Sequence, residues 1–295
     1  MKEELNSLFK GIFDHHISVD LKRKLALNLK KKYPQGTDPF NFNPNTGLKY
    51  IDLFHFLYSK YFQVRVYGAE NITNKQYIVV ANHSGQIAFD AFLVSIAFLT
   101  DLRAPLPLRP MMDRFVIKMP FIGSWISELG GVLGDRKNCN YLLSRGESIL
   151  VFPEGVKGIA KSTFEYYKLK PFSKGFFRIA LSSKVEILPV AVVGAEEFYP
   201  YVYQLKSLSA LLGIPTLPLS PNLLFGPLGL LPLPSPVDIY IGKPYPLPKN
   251  LSMEAPESHI IPHVDRIMKR INKMIIKGRK VQRPISFPFF SKFLK

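Results

Sequence analysis

Two apolar runs, 77–81 and 148–152, each break off into a short string of small and ionisable residues. Runs of that length, rich in Val, Ile and Leu, are the mark of strands in a largely buried sheet, with turns carrying polar side chains to the sheet edge. The first run leaves through Asn82-His83-Ser84-Gly85 and reaches Asp90; the second ends in Pro153-Glu154-Gly155-Val156-Lys157-Gly158. Further β-rich runs fall at 63–67, 131–133, 186–193 and 237–241, with helical patterns at 88–99, 138–145 and 175–182. This alternation predicts an α/β layered fold: a mostly buried mixed sheet flanked by helices and preceded by an N-terminal helical arm. There is no internal repeat.

His83 and Asp90 carry the chemistry that this pattern offers. An imidazole oriented by a carboxylate is a general base. Seven residues of continuous helix would hold the two about 10 Å apart. Ser84-Gly85-Gln86 must therefore loop, and the helix begin near Ile87 or Ala88, for Asp90 to reach the ring. Ser84 lacks the Gly-x-Ser-x-Gly elbow of a nucleophile. Cys139 has no nearby histidine and reads as a bystander. His15 and Asp20 also sit at a plausible spacing, but they lack a preceding strand and small turn residues.

The formal net charge of +17 demands an anionic partner: nucleic acid, anionic lipid headgroups or a phosphorylated substrate. A single cysteine excludes an internal disulfide framework and suits a reducing compartment. The N-terminus has acids where a secretory signal needs a basic region, so the chain is expected to face the cytoplasm.

Three segments are expected to flank or cover the sheet. Residues 1–33 read as a basic helical arm, with Leu5, Leu8, Phe9, Ile12 and Phe13, then Leu21, Leu25 and Leu29, at helical spacing. It is either a solvated helix packed on the body or a membrane-surface element. Residues 34–47 form a turn-rich connection, followed by an aromatic helix at 49–61. Residues 208–234 hold no charge, six prolines and three glycines, which excludes a regular membrane span. They form either a lid or a loop dipping into a lipid interface. A last amphipathic helix is expected at 262–277, before a tail (285–295) that is either disordered or an interfacial anchor. The resulting division is 1–61 basic and aromatic helices, 62–249 α/β domain, and 250–295 C-terminal helix and tail.

From about residue 50 to 200 the chain resembles the glycerophospholipid acyltransferases. It carries counterparts of that family's four blocks in order: Asn82-His83 with Asp90; Gly130-Gly131-Val132-Leu133-Gly134-Asp135-Arg136; Phe152-Pro153-Glu154-Gly155; and Ile187-Leu188-Pro189-Val190. The resemblance implies a catalytic pair, His83 and Asp90, and an acceptor phosphate held by Arg136 with Lys157 and Arg114. It gives Glu154 and Gly155 an acceptor-binding or site-organising role. It implies no metal or cofactor; the acyl thioester, acyl-CoA or acyl carrier protein, is a substrate. The expected reaction is acyl transfer to a glycerol-phosphate lipid, most simply 1-acylglycerol-3-phosphate, on an anionic membrane surface and without nucleic acid.

Two departures matter. Six residues separate His83 from Asp90 where most relatives have four, a longer loop that one branch of the family tolerates. Val156-Lys157-Gly158 replaces the usual Thr-Arg-Ser, and lysine lacks the bidentate fork of arginine. That leaves room for a neutral or amino-lipid acceptor. A non-catalytic basic membrane-binding protein and a nucleic-acid-binding protein are the readings from other classes.

Overall fold

The computed structural model describes residues 16–73, 75–84, 87–100, 105–199, 202–205, 207, 209 and 218–281. Its strands are β1 (Arg65–Tyr67), β2 (Ile78–Ala81), β3 (Leu108–Met112), β4 (Val132–Leu133), β5 (Ser148–Val151), β6 (Ile187–Val193), β7 (Tyr203–Gln204), β8 (Pro218–Leu219) and β9 (Asp238–Ile241). Seven of them form one mixed sheet in the order β1-β9-β6-β2-β5-β3-β4, while β7 and β8 pair apart. β2, β3, β4, β5 and β6 all run parallel; β9 is antiparallel to β6 and carries β1 parallel to itself. The C-terminal ends of β2 and β5, which lead to His83 and Glu154, therefore open on one rim.

The helices are α1 (Val19–Lys32), α2 (Pro44–Lys49), α3 (Ile51–Phe56), α4 (Phe89–Thr100), α5 (Arg114–Ile117), α6 (Ile122–Glu128), α7 (Arg136–Ser144), α8 (Val156–Ile159), α9 (Gly175–Ser183) and α10 (Glu257–Arg279). Helix α3 runs on into a wide turn, Leu57–Tyr61, closed by the Phe62 N–H donating to Leu57 O at 2.9 Å.

Side-chain alternation explains the layering. In β6, Leu188, Val190 and Val192 join a core with α3 and α4, while Ile187, Ala191 and Val193 face a second core with α7, α9 and α10. All seven β6 residues are buried, so the run reads as continuously apolar. Helix α10 contributes Ile260, Val264, Ile267, Ile271 and Ile275, a stripe along one face.

Several expectations shift. Helix α10 starts at Glu257, five residues before Pro262; a proline so near the helix start forfeits only an early hydrogen bond. Helix α4 starts at Phe89 rather than at Ile87 or Ala88. Strand β3 had no counterpart in the sequence reading, because Leu108-Arg109-Pro110 looks unlike a strand. Arg109 is nevertheless fully buried, paired with Asp38 at 2.6 Å and Glu147 at 2.8 Å and lying over the Phe42 ring. At Pro110 the β4 neighbour has not yet begun to pair, so no donor is needed on that side.

Over 19–32 the arm packs on the body through Leu25 and Leu29. Asp52 ties it down by accepting from Ile17 N at 3.0 Å and pairing with Lys22. Leu5, Leu8, Phe9, Ile12, Phe13, His15 and the tail at 285–295 lie outside the described residues. Of 208–234, β8 and a 3-10 stretch, Pro221–Leu230, are described; Tyr61 Oη donates to Pro232 O at 2.7 Å. Among the described residues no helix is long and apolar enough to cross a membrane.

Candidate active site

Strand β2 delivers Asn82 and His83 to the rim, and the Asn82 amide continues the ladder by bonding Val192 through both its ends, at 2.8 and 3.0 Å. His83 then leaves the sheet with its ring stacked on Phe152, centroids 4.3 Å apart. His83 Nδ1 lies 2.7 Å from Asp90 Oδ2. The seven-residue separation is thus bridged, as the looped reading of the sequence required; Gly85 and Gln86 lie outside the described residues. The same Asp90 oxygen accepts from Ser84 N at 2.8 Å, and the other oxygen from Ala91 N at 2.8 Å. Asp90 is fully buried in the first turn of α4, where the helix dipole favours a negative charge. A carboxylate only accepts, so Nδ1 carries the proton and Nε2 is the basic nitrogen of the ring. Ser84 Oγ is buried and unpartnered, unlike an exposed nucleophile.

Glu154 faces the main chain of His83 rather than open space. Its Oε1 accepts from His83 N at 2.9 Å, and its Oε2 accepts from Lys170 N at 2.7 Å and pairs with Lys161 Nζ at 3.1 Å. Both oxygens are engaged and the side chain is buried, which makes Glu154 an organiser of the turn. Lys161 completes the clamp: its Nζ donates to His83 O at 3.2 Å and to Glu196 Oε1 at 3.1 Å. Burial works against the Lys161 charge, but Glu196 and Glu154 outweigh it and raise its pKa above the ordinary lysine value. The peptide groups on both sides of His83 are therefore held by one buried ion cluster.

Gly155 and Gly158 have different physical reasons. Gly155 has φ +56° and ψ −149°, a region that only glycine occupies comfortably. Gly158 has an ordinary backbone, yet a Cβ there would lie 2.6 Å from His83 Cβ and 2.9 Å from Glu154 Cβ. Helix α8 can approach His83 only because residue 158 has no side chain.

The three basic candidates are placed differently. Arg136 opens α7, whose N-cap Asp135 accepts from Asn138 N at 2.8 Å; Lys157 lies on α8; Arg114 opens α5. All three are exposed, and among the described residues none forms a side-chain hydrogen bond or ion pair. They follow the C-terminal ends of β4, β5 and β3, on the rim that bears His83. A cavity of about 440 Å³ adjoins the third block, walled by residues including Phe152, Glu154, Lys157 and Phe172; His83 and Arg136 are not among its walls.

Lys161 and Glu196 escaped the sequence reading, as did the close approach of Gly158 to His83. A buried lysine has no local signature, and its partners lie 7 and 35 residues away along the chain. The one available pointer was Glu196-Glu197, an acidic pair straight after a wholly apolar strand. Cys139 is buried, as befits a bystander, and burial pushes its thiol up to about 12. His16, the neighbour of His15, lies 3.3 Å from a carboxylate oxygen of Asp52.

The acyltransferase family model matches residues 63–193. The chain is 37% identical over 211 residues to an uncharacterized protein of Mycobacterium leprae, covering 70% of this chain and 58% of that protein. It is 27% identical over 173 residues to a Mycoplasma pneumoniae protein named probable 1-acyl-sn-glycerol-3-phosphate acyltransferase, covering 53% and 60% respectively. The chain thus spans under two thirds of the length of these curated relatives. The crystal structure of the 1-acyl-sn-glycerophosphate acyltransferase PlsC from Thermotoga maritima superposes with a TM-score of 0.52 at 21% identity, covering 94% of this chain and 88% of that one. The α/β layered fold is that of PlsC, and the stretch 63–193 of this chain belongs to the acyltransferase family.

Proposed function

We propose that this chain transfers a fatty acyl group from an acyl thioester, acyl-CoA or acyl carrier protein, to the hydroxyl of a glycerol-phosphate lipid. The favoured acceptor is 1-acylglycerol-3-phosphate, which gives phosphatidic acid, at the cytoplasmic face of an anionic membrane. One observation carries the reading: a buried aspartate 2.7 Å from His83 Nδ1 leaves Nε2 basic at the rim where the parallel strands end.

In this mechanism Nε2 takes the acceptor's hydroxyl proton as its oxygen attacks the thioester carbonyl. The tetrahedral intermediate collapses to the new ester, the C–S bond breaks, and the imidazolium returns the proton to the departing thiolate. Asp90 stabilises the imidazolium and fixes the tautomer. Arg136, beside the first N–H groups of α7, and Lys157 receive the acceptor's phosphate; an anion suits that end of a helix. Correct placement of the hydroxyl supplies several kcal/mol of the barrier.

The test incubates purified protein with acyl thioester and a panel of glycerol-phosphate, neutral and amino-lipid acceptors, following thiol release and product mass. Removing the base in His83→Ala, or its orienting partner in Asp90→Asn, is expected to lower kcat by about 10²–10⁴. Normal turnover by folded His83→Ala protein rejects the mechanism. Arg136→Ala is expected to raise the acceptor KM. Because Lys157 stands where relatives carry arginine, turnover confined to diacylglycerol or an amino-lipid would transfer the reading to a neutral acceptor.

A further inference from the structure

Between β3 and β4 the chain exposes an apolar face that the proposed chemistry does not use. Phe121 is 91% exposed, and Phe115, Ile122 and Trp125 are 40%, 45% and 44% exposed. Phe121 and Trp125 lie one helical turn apart, joined by Trp125 N donating to Phe121 O at 3.1 Å. Trp125 meets Tyr50 and Phe54 edge-on, at 6.4 and 6.2 Å, which carries the face on to exposed Leu53.

The backbone is strained to make this presentation. Phe121 has φ +61° and ψ −46°, a conformation unfavourable for any residue with a Cβ. Gly123 permits the turn, since a Cβ there would lie 2.1 Å from Ile117 O. A strained residue that buries nothing within its own chain points to a contact outside it.

The face has a fixed relation to the site. Helix α5 begins two residues past β3, on the rim that bears His83. The far end of α6 approaches the start of β3, where Arg109 Nε donates to Gly130 O at 3.0 Å. Phe121, at the near end of α6, is therefore on the rim side. The exposed cations Arg114, Lys118, Arg136, Lys137 and Lys157 belong to the same rim. The acids beside them are turned to local donors: Asp113 accepts from Phe115 N at 2.8 Å, and Asp135 from Asn138 N.

We infer that Phe121, Ile122 and Trp125 form a wedge that enters the interface of an anionic bilayer and sets the His83 rim on the lipid surface. Aromatic and aliphatic tips ringed by Lys and Arg suit that boundary, where rings sit at headgroup depth and cations meet phosphate. The inference rests on the reading of the chain as an enzyme of lipid acceptors and adds where the membrane meets it.

Trp125 is the only tryptophan of the chain, so its fluorescence reports on this face alone. The full chain is titrated with vesicles of phosphatidylcholine and phosphatidylglycerol carrying brominated acyl chains. A blue shift and quenching of Trp125, both weaker with phosphatidylcholine alone, are the expected result. Vesicle binding without quenching, or no binding, overturns the inference. So does a blue shift that appears without vesicles together with a dimer on size exclusion, because the occupant is then a second copy. Phe121→Gly removes the ring and relieves the positive φ, so Tm holds or rises while vesicle partitioning falls about tenfold; unchanged partitioning overturns the inference too. Turnover of short-chain, water-soluble substrates without vesicles is measured in parallel. Turnover with an unquenched Trp125 sinks the wedge alone, and quenching without turnover sinks the chemistry alone.

Discussion

Gly158→Ala should separate the geometry of His83 from the stability of the fold. The added methyl would lie 2.6 Å from His83 Cβ and 2.9 Å from Glu154 Cβ. Carbon atoms pack at about 3.5–4 Å, so one side must retreat by about 1 Å. Glu154 holds His83 N at 2.9 Å, so a retreat of either side chain shifts the histidine. A displacement of about 1 Å at a reacting group costs about 10²-fold in rate, while overpacking costs about 1–3 kcal/mol of stability. Gly155→Ala is the control. Its Cβ would meet nothing within 4 Å, but the backbone there is strained for alanine, by about 1–3 kcal/mol. The two variants should therefore lose similar stability in denaturant titrations, yet Gly158→Ala should lose far more kcat with a soluble acceptor. Wild-type turnover by folded Gly158→Ala protein, or equal losses of kcat in the two variants, would refute the reasoning.

Two further predictions follow from the ion pairs. Lys161→Met leaves Glu154 and Glu196 buried without their shared cation, and is expected to destabilise the fold by about 3–5 kcal/mol; a loss below about 1 kcal/mol in chemical denaturation would show that the cluster does not hold the turn. At Asp52, burial pushes the carboxyl up, but the hydrogen bonds from Lys22, Ile17 N–H and His16 outweigh it and hold the pKa at about 2, below the usual 3.8. A depressed carboxylate adds stability that is complete above its unfolded value and is lost as pH falls through the folded one. Hydrogen exchange of the α1 amides should therefore accelerate between about pH 4 and pH 2, and Asp52→Asn should show the loosened arm at neutral pH; arm protection insensitive to both changes would contradict the anchor.

Much of the site was legible because it is local. Strand, turn and helix start follow one another within 78–90, and burial on both faces makes β2 and β5 plain apolar runs. The same locality explains why the helices at 175–183 and 136–144 were placed to within two residues. Strand β3 was not legible, because its arginine is tolerated only through Asp38 and Glu147, far away in the chain, and its proline only at an unpaired edge. The start of α10 was displaced for a related reason: proline marks a helix start well in general, but here it falls inside the first two turns.

The one-dimensional order of residues by itself determined that this chain would build an α/β sheet with His83 and Asp90 brought together at its edge. Hydrophobic period and turn chemistry act between near neighbours, and they suffice for that much. Only the tertiary structure decided what surrounds the imidazole: the Glu154–Lys161–Glu196 cluster gripping its peptides, the bare Cα of Gly158 against its Cβ, and the aromatic wedge on the same rim. Those contacts join segments up to 78 positions apart, as between Lys161 and His83, and they depend on direction and distance in space, which spacing along a chain does not encode.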